Sequence, residues 1–195
     1  MGNFINAKAI TFFDIETTNL DPKKSAILEI TIITDWDDGT QDIWTSKIKP
    51  KNIEMEFADQ EALNICGYNE EDWKNAPSFN DVAEIISKKI SWGPVVAHNI
   101  QFDLAHLTSV FKRYGYRECN RNEKFNVKNK MFKIPYPIID TCAMAYLFIP
   151  AERQNLNELR KYFNIEIDRA HNSLTDTEDC RHVFYHIINN TVGEN

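Results

Sequence analysis

No stretch of the 195 residues is apolar for long enough to cross a membrane, since every hydrophobic run has the length of a strand or an amphipathic helix. The N-terminus lacks the charged and apolar regions of a signal peptide, so the expectation is a soluble, intracellular, cytoplasmic protein. Cysteine is scarce. Cys66, Cys119, Cys142 and Cys180 stand far apart with no CxxC pair, which excludes a zinc knuckle and a disulfide framework and leaves free thiols. Repeats and low-complexity segments are also missing. Basic excess is absent too: a net charge of −7 argues against a protein that coats nucleic acid with its whole surface. What remains, at 43% hydrophobic residues, suffices for one sizeable core and reads as a single domain over residues 1–195.

Charge is nevertheless uneven. Between Lys112 and Lys133 lie eight basic residues, among them Arg117, Arg121, Lys124, Lys128 and Lys130, against only Glu118 and Glu123. The segment reads as a long loop over 112–137, bounded by Gly115, Pro135 and Pro137. It is either a solvated connector or a local patch for a polyanion on an acidic body.

The order of elements sets the fold class. Ala7–Leu20 (AKAITFFDIETTNL) reads as a strand closed by a turn, Ala26–Thr34 as a second, and Asp37-Asp38-Gly39 as a hairpin signal into a third over Asp42–Ile48. Short helical pieces broken at Gly67 follow, then a helix capped by Ser78 and Asp81. Val95–Ala97 is a short buried strand that runs into Asn99, a favourable helix N-cap. Ile138–Asp140 is another strand, followed by helices from Thr141, from the Asn155 cap and from Ser173 with Asp176. Three antiparallel strands followed by strands alternating with helices predict an α/β fold, a mixed five-stranded sheet covered by helices on both faces.

Four acids break the pattern. Asp14 and Glu16 are two apart in a strand and so project from one face, roughly 7 Å from each other, at the end of a hydrophobic element. Read alone, they are equally compatible with a solvated strand end. Asp103 stands four residues before Leu107 and Asp176 four before Cys180, which places each on the apolar stripe of its helix, in the first turn. Either alone also reads as an ordinary capping acid. Together, four inward carboxylates would raise one another's pKa and partly neutralise unless cations intervene. Carboxylate ligands suit Mg²⁺ or Mn²⁺, and two such ions about 4 Å apart form a clamp for phosphoryl displacement. His171, five residues before Asp176, is placed to take a proton from water near neutral pH. His98, His106, His182 and His186 read as structural or surface groups.

FFDIETTNL, VVAHNIQFDLAHL and HNSLTDTEDC, in that order, resemble the three motifs of the DEDDh group of 3′-to-5′ exonucleases, which have a ribonuclease H-like fold. The group includes the epsilon proofreading subunit of bacterial DNA polymerase III, ribonuclease T and oligoribonuclease. The resemblance spans about Ile10 to Cys180. It implies that Asp14 bridges two divalent cations, Mg²⁺ or Mn²⁺, that Glu16 and Asp176 complete one site, that Asp103 holds the second ion and that His171 is the general base. It also implies that the backbone at Thr17 and Thr18 receives the 3′-terminal nucleotide, that Leu20 packs on its base, that Asn99 and Phe102 lie near the substrate and that Asp140 supports the site. Cys66 before Gly67, where many members have His, and Ser173, where Ala is common, are departures that leave the implied chemistry untouched. The basic loop is expected to border the cleft and grip phosphates.

The expected activity is metal-dependent removal of 5′-mononucleotides from the 3′ ends of single-stranded DNA or RNA. A polymerase is the expected protein partner if the chain is a proofreading subunit, although it ends at Asn195 with no tail to house such contacts. A catalytically silent nucleic-acid-binding module is the third reading, disfavoured because all five catalytic positions are filled.

Overall fold

Two long buried strands carry the rest of the chain. In the computed structural model, which describes residues 7–120, 123, 126–165 and 172–192, β1 (Ala9–Thr17), β2 (Ile27–Trp36) and β3 (Gln41–Lys47) form an antiparallel meander. Gly39 closes the β2–β3 hairpin at φ 84°, a conformation costly for residues with a Cβ. β1 and β2 are apolar along most of their length because both faces are covered, whereas β3 alternates as a wet edge strand does.

The short helices α1 (Asn52–Met55), α2 (Gln60–Ile65) and α3 (Glu70–Trp73) precede α4 (Phe79–Lys89), whose Ser78–Asp81 capping box is formed as predicted. β4 (Val95–Ala97) then pairs parallel to β1, and α5 (Ile100–Arg113) follows. Beyond it come β5 (Arg117–Glu118), β6 (Met131–Phe132) and β7 (Ile138–Asp140), then α6 (Thr141–Phe148), α7 (Leu156–Phe163) and α8 (Ser173–Val192). The main sheet has the order β3-β2-β1-β4-β7, three antiparallel strands followed by two parallel ones, as the element order predicts.

Strand alternation divides the core. Phe13, Ile15 and Ile32 pack against Phe79, Ile86 and Phe111 of α4 and α5. On the other face Ile10, Phe12 and Val96 meet Cys180 and Phe184 of α8, with Phe12 and Phe184 edge to face at 5.4 Å. Residues 12, 14 and 16 share a face, so Asp14 and Glu16 point to the α8 side.

Three local expectations need correction. The described residues of 112–137 are not loop throughout: β5 and β6 form a two-stranded parallel sheet, and buried Phe132 stacks on Phe111 with centroids 4.7 Å apart. Two apolar residues within a charged stretch leave no periodic signal, which is why the anchor escapes sequence reading. Asn99 does not cap α5 through its side chain. It adopts a left-handed conformation (φ 64°, ψ 48°), which Asn tolerates, and its N–H donates to Asp140 Oδ1 at 2.9 Å. Finally, α8 is capped by Asn172, whose Oδ1 accepts from the N–H groups of Leu174 and Thr175 at 3.1 and 3.3 Å, so the Ser173 hydroxyl is free for other bonds.

Asp140 thus takes two N–H groups, those of Asn99 and of Cys142 at the start of α6, each at 2.9 Å. Replacing it by Ala should lower unfolding stability by about 1–2 kcal/mol, the usual cost of a lost cap. Urea denaturation of Asp140→Ala with an unchanged midpoint would show that these bonds contribute nothing.

Candidate active site

β1, β4 and β7 run in the same direction; β4 and β7 end side by side at Ala97 and Asp140, and β1 continues past that level to Thr17. α5 and α6 begin at that end of the sheet. In a sheet with parallel strands this carboxyl-end edge is where ligand-binding groups gather.

Parallel pairing of β1 with β4 reaches only Thr11 and Phe12, and beyond it the first turn of α5 fills the space. Buried Asp103 sits there, where the backbone N–H groups of Asp103 itself and of Ile15 favour its carboxylate against the larger opposing effect of burial. From the other side α8 is fastened over the β1–β2 pair: Ser173 Oγ donates to Glu29 Oε1 at 2.7 Å and lies 2.7 Å from Thr31 Oγ1. Glu29 and Thr31 are the cross-strand partners of Glu16 and Asp14. One helical turn past Ser173, Asp176 therefore hangs above both acids. Carboxylate oxygens of Asp14, Glu16 and Asp176 all lie within 4.8 Å of one another.

Crowding and burial act in one direction here. Burial pushes the Asp14 carboxyl well above the carboxylate range, and Asp103, Asp176 and Glu16 push it further, while Arg160 opposes them. Glu16 is pushed up to about 8 by burial, then by Asp176 and Glu29. Asp103 is likewise raised, first by burial. Every oxygen of the Asp14–Glu16–Asp176 group belongs to a carboxylate, so the donor chemistry fits a hard divalent cation, which would replace protons as the source of neutralising charge.

The remaining predicted residues are distributed around this cluster. Thr17 and Thr18 are buried. Thr18 is locked in place, its N–H donating to Ala26 O at 3.0 Å and its Oγ1 accepting from the Ala26 N–H at 2.9 Å. Leu20 is 76% exposed, a bare apolar side chain at the rim. Phe102 is half-buried against the His106 ring, whose nitrogens lie 2.9 Å from Phe102 O and 3.1 Å from Asn19 O, tying α5 to the turn after β1. Asn99 is exposed at the start of α5. Of the basic residues, Arg117 pairs with Glu123 at 2.7 Å, Lys128 is exposed, and Lys130 reaches Tyr114 O at 3.4 Å. His171, Arg121 and Lys124 lie outside the described residues.

The exonuclease family model of the RNase T type matches residues 11–184. The chain belongs to this exonuclease family. Among its relatives, the PolC-type DNA polymerase III of Oceanobacillus iheyensis is 24% identical over 181 residues, covering 92% of this chain and 11% of the relative. The 3′-5′ exonuclease DinG of Bacillus subtilis is 24% identical over 187 residues, covering 94% of this chain and 18% of the relative. This family member thus spans only about a tenth to a fifth of the length of these two relatives. In fold it is similar to E. coli Exonuclease I, solved in complex with a dA16 oligonucleotide, with a TM-score of 0.69 and 15% identity over 94% of this chain and 41% of that one.

Sequence reading missed three residues beside the cluster. Glu29 is silent in sequence because β2 is buried on both faces, so no alternation exposes it. Ser173, which the sequence marks as a helix cap, instead fastens the helix to β2. Arg160 was readable: it follows Leu156 by four and precedes Phe163 by three, so it lies on the apolar stripe of α7, as Asp103 does on that of α5. It is 1% exposed and bonds Asp176 Oδ1 at 2.5 Å.

The raised carboxyls make the ion-free protein bind more protons than its unfolded chain between the ordinary carboxylate range and about pH 8. Stability in chelator should therefore fall as pH rises through that window. Glu16→Gln should flatten the fall and raise the melting temperature at the alkaline end, as read by thermal denaturation at stepped pH. An unaltered pH slope would contradict the crowding.

Proposed function

We propose that the chain is one 3′-to-5′ exonuclease domain that hydrolyses phosphodiester bonds at the 3′ ends of single-stranded DNA or RNA and releases 5′-mononucleotides. The carrying observation is the convergence of Asp14, Glu16 and Asp176 within 4.8 Å, with buried Asp103 close enough to raise Asp14. Asp14, Glu16 and Asp176 would hold one divalent cation and Asp14 with Asp103 a second, with Mg²⁺ or Mn²⁺ the fitting ions. Such ions supply Lewis acidity that neutralises charge gathering on the phosphodiester. The protein's own part is positioning and proton transfer. His171 takes a proton from the attacking water as its oxygen bonds to phosphorus. The bond from phosphorus to the 3′ oxygen of the penultimate nucleotide breaks, that oxygen takes up a proton from solvent water, and the freed nucleotide keeps a 5′-phosphate.

Substrate contacts follow from the rim. Leu20 and Phe102 offer apolar surface to the terminal base, and the backbone from Thr17 to Leu20, held by the Asn19–His106 contact, seats the sugar and phosphate. Asn99 stands beside them. Arg117, Arg121, Lys124, Lys128 and Lys130 would meet phosphates upstream, with Arg117 exchanging Glu123 for the strand. No helix of the described residues is long and apolar enough to cross a membrane. A second reading, proofreading in partnership with a polymerase, is favoured by the PolC-type relative, in which the matched region is a small part of a polymerase. Co-purification with a polymerase would support it.

End-labelled DNA and RNA oligonucleotides incubated with Mg²⁺ should shorten stepwise from the 3′ end, stop on chelation and resume with excess ion. Asp14→Ala should abolish turnover, and His171→Ala should lower kcat by about 10²–10⁴-fold. Internal cleavage products, or full activity of His171→Ala, would overturn the assignment.

A further inference from the structure

Among the described residues Arg160 is the largest fully buried side chain, and each nitrogen of its guanidinium has a partner. Nη2 donates to Asp176 Oδ1 at 2.5 Å, Nε to Asp179 Oδ2 at 2.6 Å, and Nη1 to Asn157 Oδ1 at 2.7 Å. Asp179 is itself buried, at 6% exposure, and lies one turn beyond Asp176 on α8. A buried arginine is costly unless paired and hydrogen-bonded, and one of the two carboxylates that pair this one is an acid of the cluster.

Geometry explains what the arrangement achieves. An aspartate side chain on a helix has several staggered rotamers, and repulsion from Asp14 and Glu16 would turn Asp176 away from them. A planar fork anchored on two acids of α8 and on Asn157 of α7 holds one rotamer against that repulsion. Its positive charge would by itself oppose a divalent cation, and Asp179 balances that charge. The pair is therefore a neutral clamp that orients a charged ligand.

We propose that Arg160 is a positioning residue for the ion-binding carboxylate of Asp176, locking the rotamer that presents it to Asp14 and Glu16, with Asp179 as the counterion that keeps the clamp from repelling the ion. The inference rests on the reading of Asp176 as an ion ligand. It ties α7, an element without a catalytic group, to the assembly of the site.

The test uses the full chain and Mn²⁺ alone, titrated calorimetrically without nucleic acid, followed by kcat and KM on a labelled oligonucleotide. Two variants separate orientation from folding. Arg160→Lys keeps the charge and loses the fork. The double variant Arg160→Met with Asp179→Leu replaces the pair by apolar groups of similar size, a change that buried pairs often tolerate. Both should weaken Mn²⁺ binding by about 10-fold or more. Both should also lower kcat with little change in KM, and excess Mn²⁺ should restore part of the loss. Asp179→Asn, which leaves the fork in place with its charge unbalanced, should weaken Mn²⁺ binding too. Folded variants that bind Mn²⁺ with wild-type affinity would overturn the clamp alone. A wild-type chain that binds no Mn²⁺ would defeat the reading of the acids and this inference with it.

Discussion

Mutual repulsion among buried carboxylates at the end of β1 is the constraint that the surrounding structure exists to contain. Asp14, Glu16 and Asp176 approach within 4.8 Å, and Asp103 and Glu29 add further negative charge. In water such groups would separate. Here they are attached to elements whose positions are set by apolar packing elsewhere: β1 and β2 are buried on both faces, α5 packs through Leu107, Val110 and Phe111, and α8 through Cys180, Val183 and Phe184. Core burial at about 25 cal/mol per Å² supplies the favourable term against which the crowding is held.

Local bonds then refine what packing holds approximately. Ser173 fastens the start of α8 to Glu29 and Thr31, and Arg160 grips Asp176, while the backbone N–H of Ile15 favours the Asp103 carboxylate. Asp103 and Asp176 both occupy first turns of their helices, where the N-terminal partial positive charge favours an anion. The result is a set of oxygens oriented before any ion arrives, so that little binding energy is lost to rearrangement. That suits the proposed phosphodiester chemistry, in which the protein contributes position and charge more than covalent reactivity.

The basic segment shows the same economy. Arg117 lies in, and Lys130 next to, a small parallel sheet that Phe132 pins against Phe111, so a stretch that composition alone marks as a connector is joined to the core of α5. Arg113, at the end of the same helix, holds Pro22 O at 2.9 Å and so ties the turn after β1 to α5. One helix thus connects Asp103, the turn carrying Leu20 and the base of the basic segment.

Much of this was legible in the chain. Strand and helix order, the five-stranded mixed sheet, and the inward aim of Asp14, Glu16, Asp103 and Asp176 follow from periodicity, because apolar spacing fixes which face of an element is buried. The same reasoning reaches Arg160, since a charge on an apolar stripe must find a partner. What periodicity could not supply is the partner's identity: that Arg160 meets Asp176, that Ser173 meets Glu29, that Asp140 takes the N–H of Asn99, and that Phe132 seats the basic segment. Each joins residues distant in sequence, and a hydrogen bond or ring contact depends on ångström-scale placement that the packing of separate elements sets. The sequence by itself determined which residues face inward and with what charge. Only the tertiary structure decided which of them meet, because that depends on how the helices settle across the sheet.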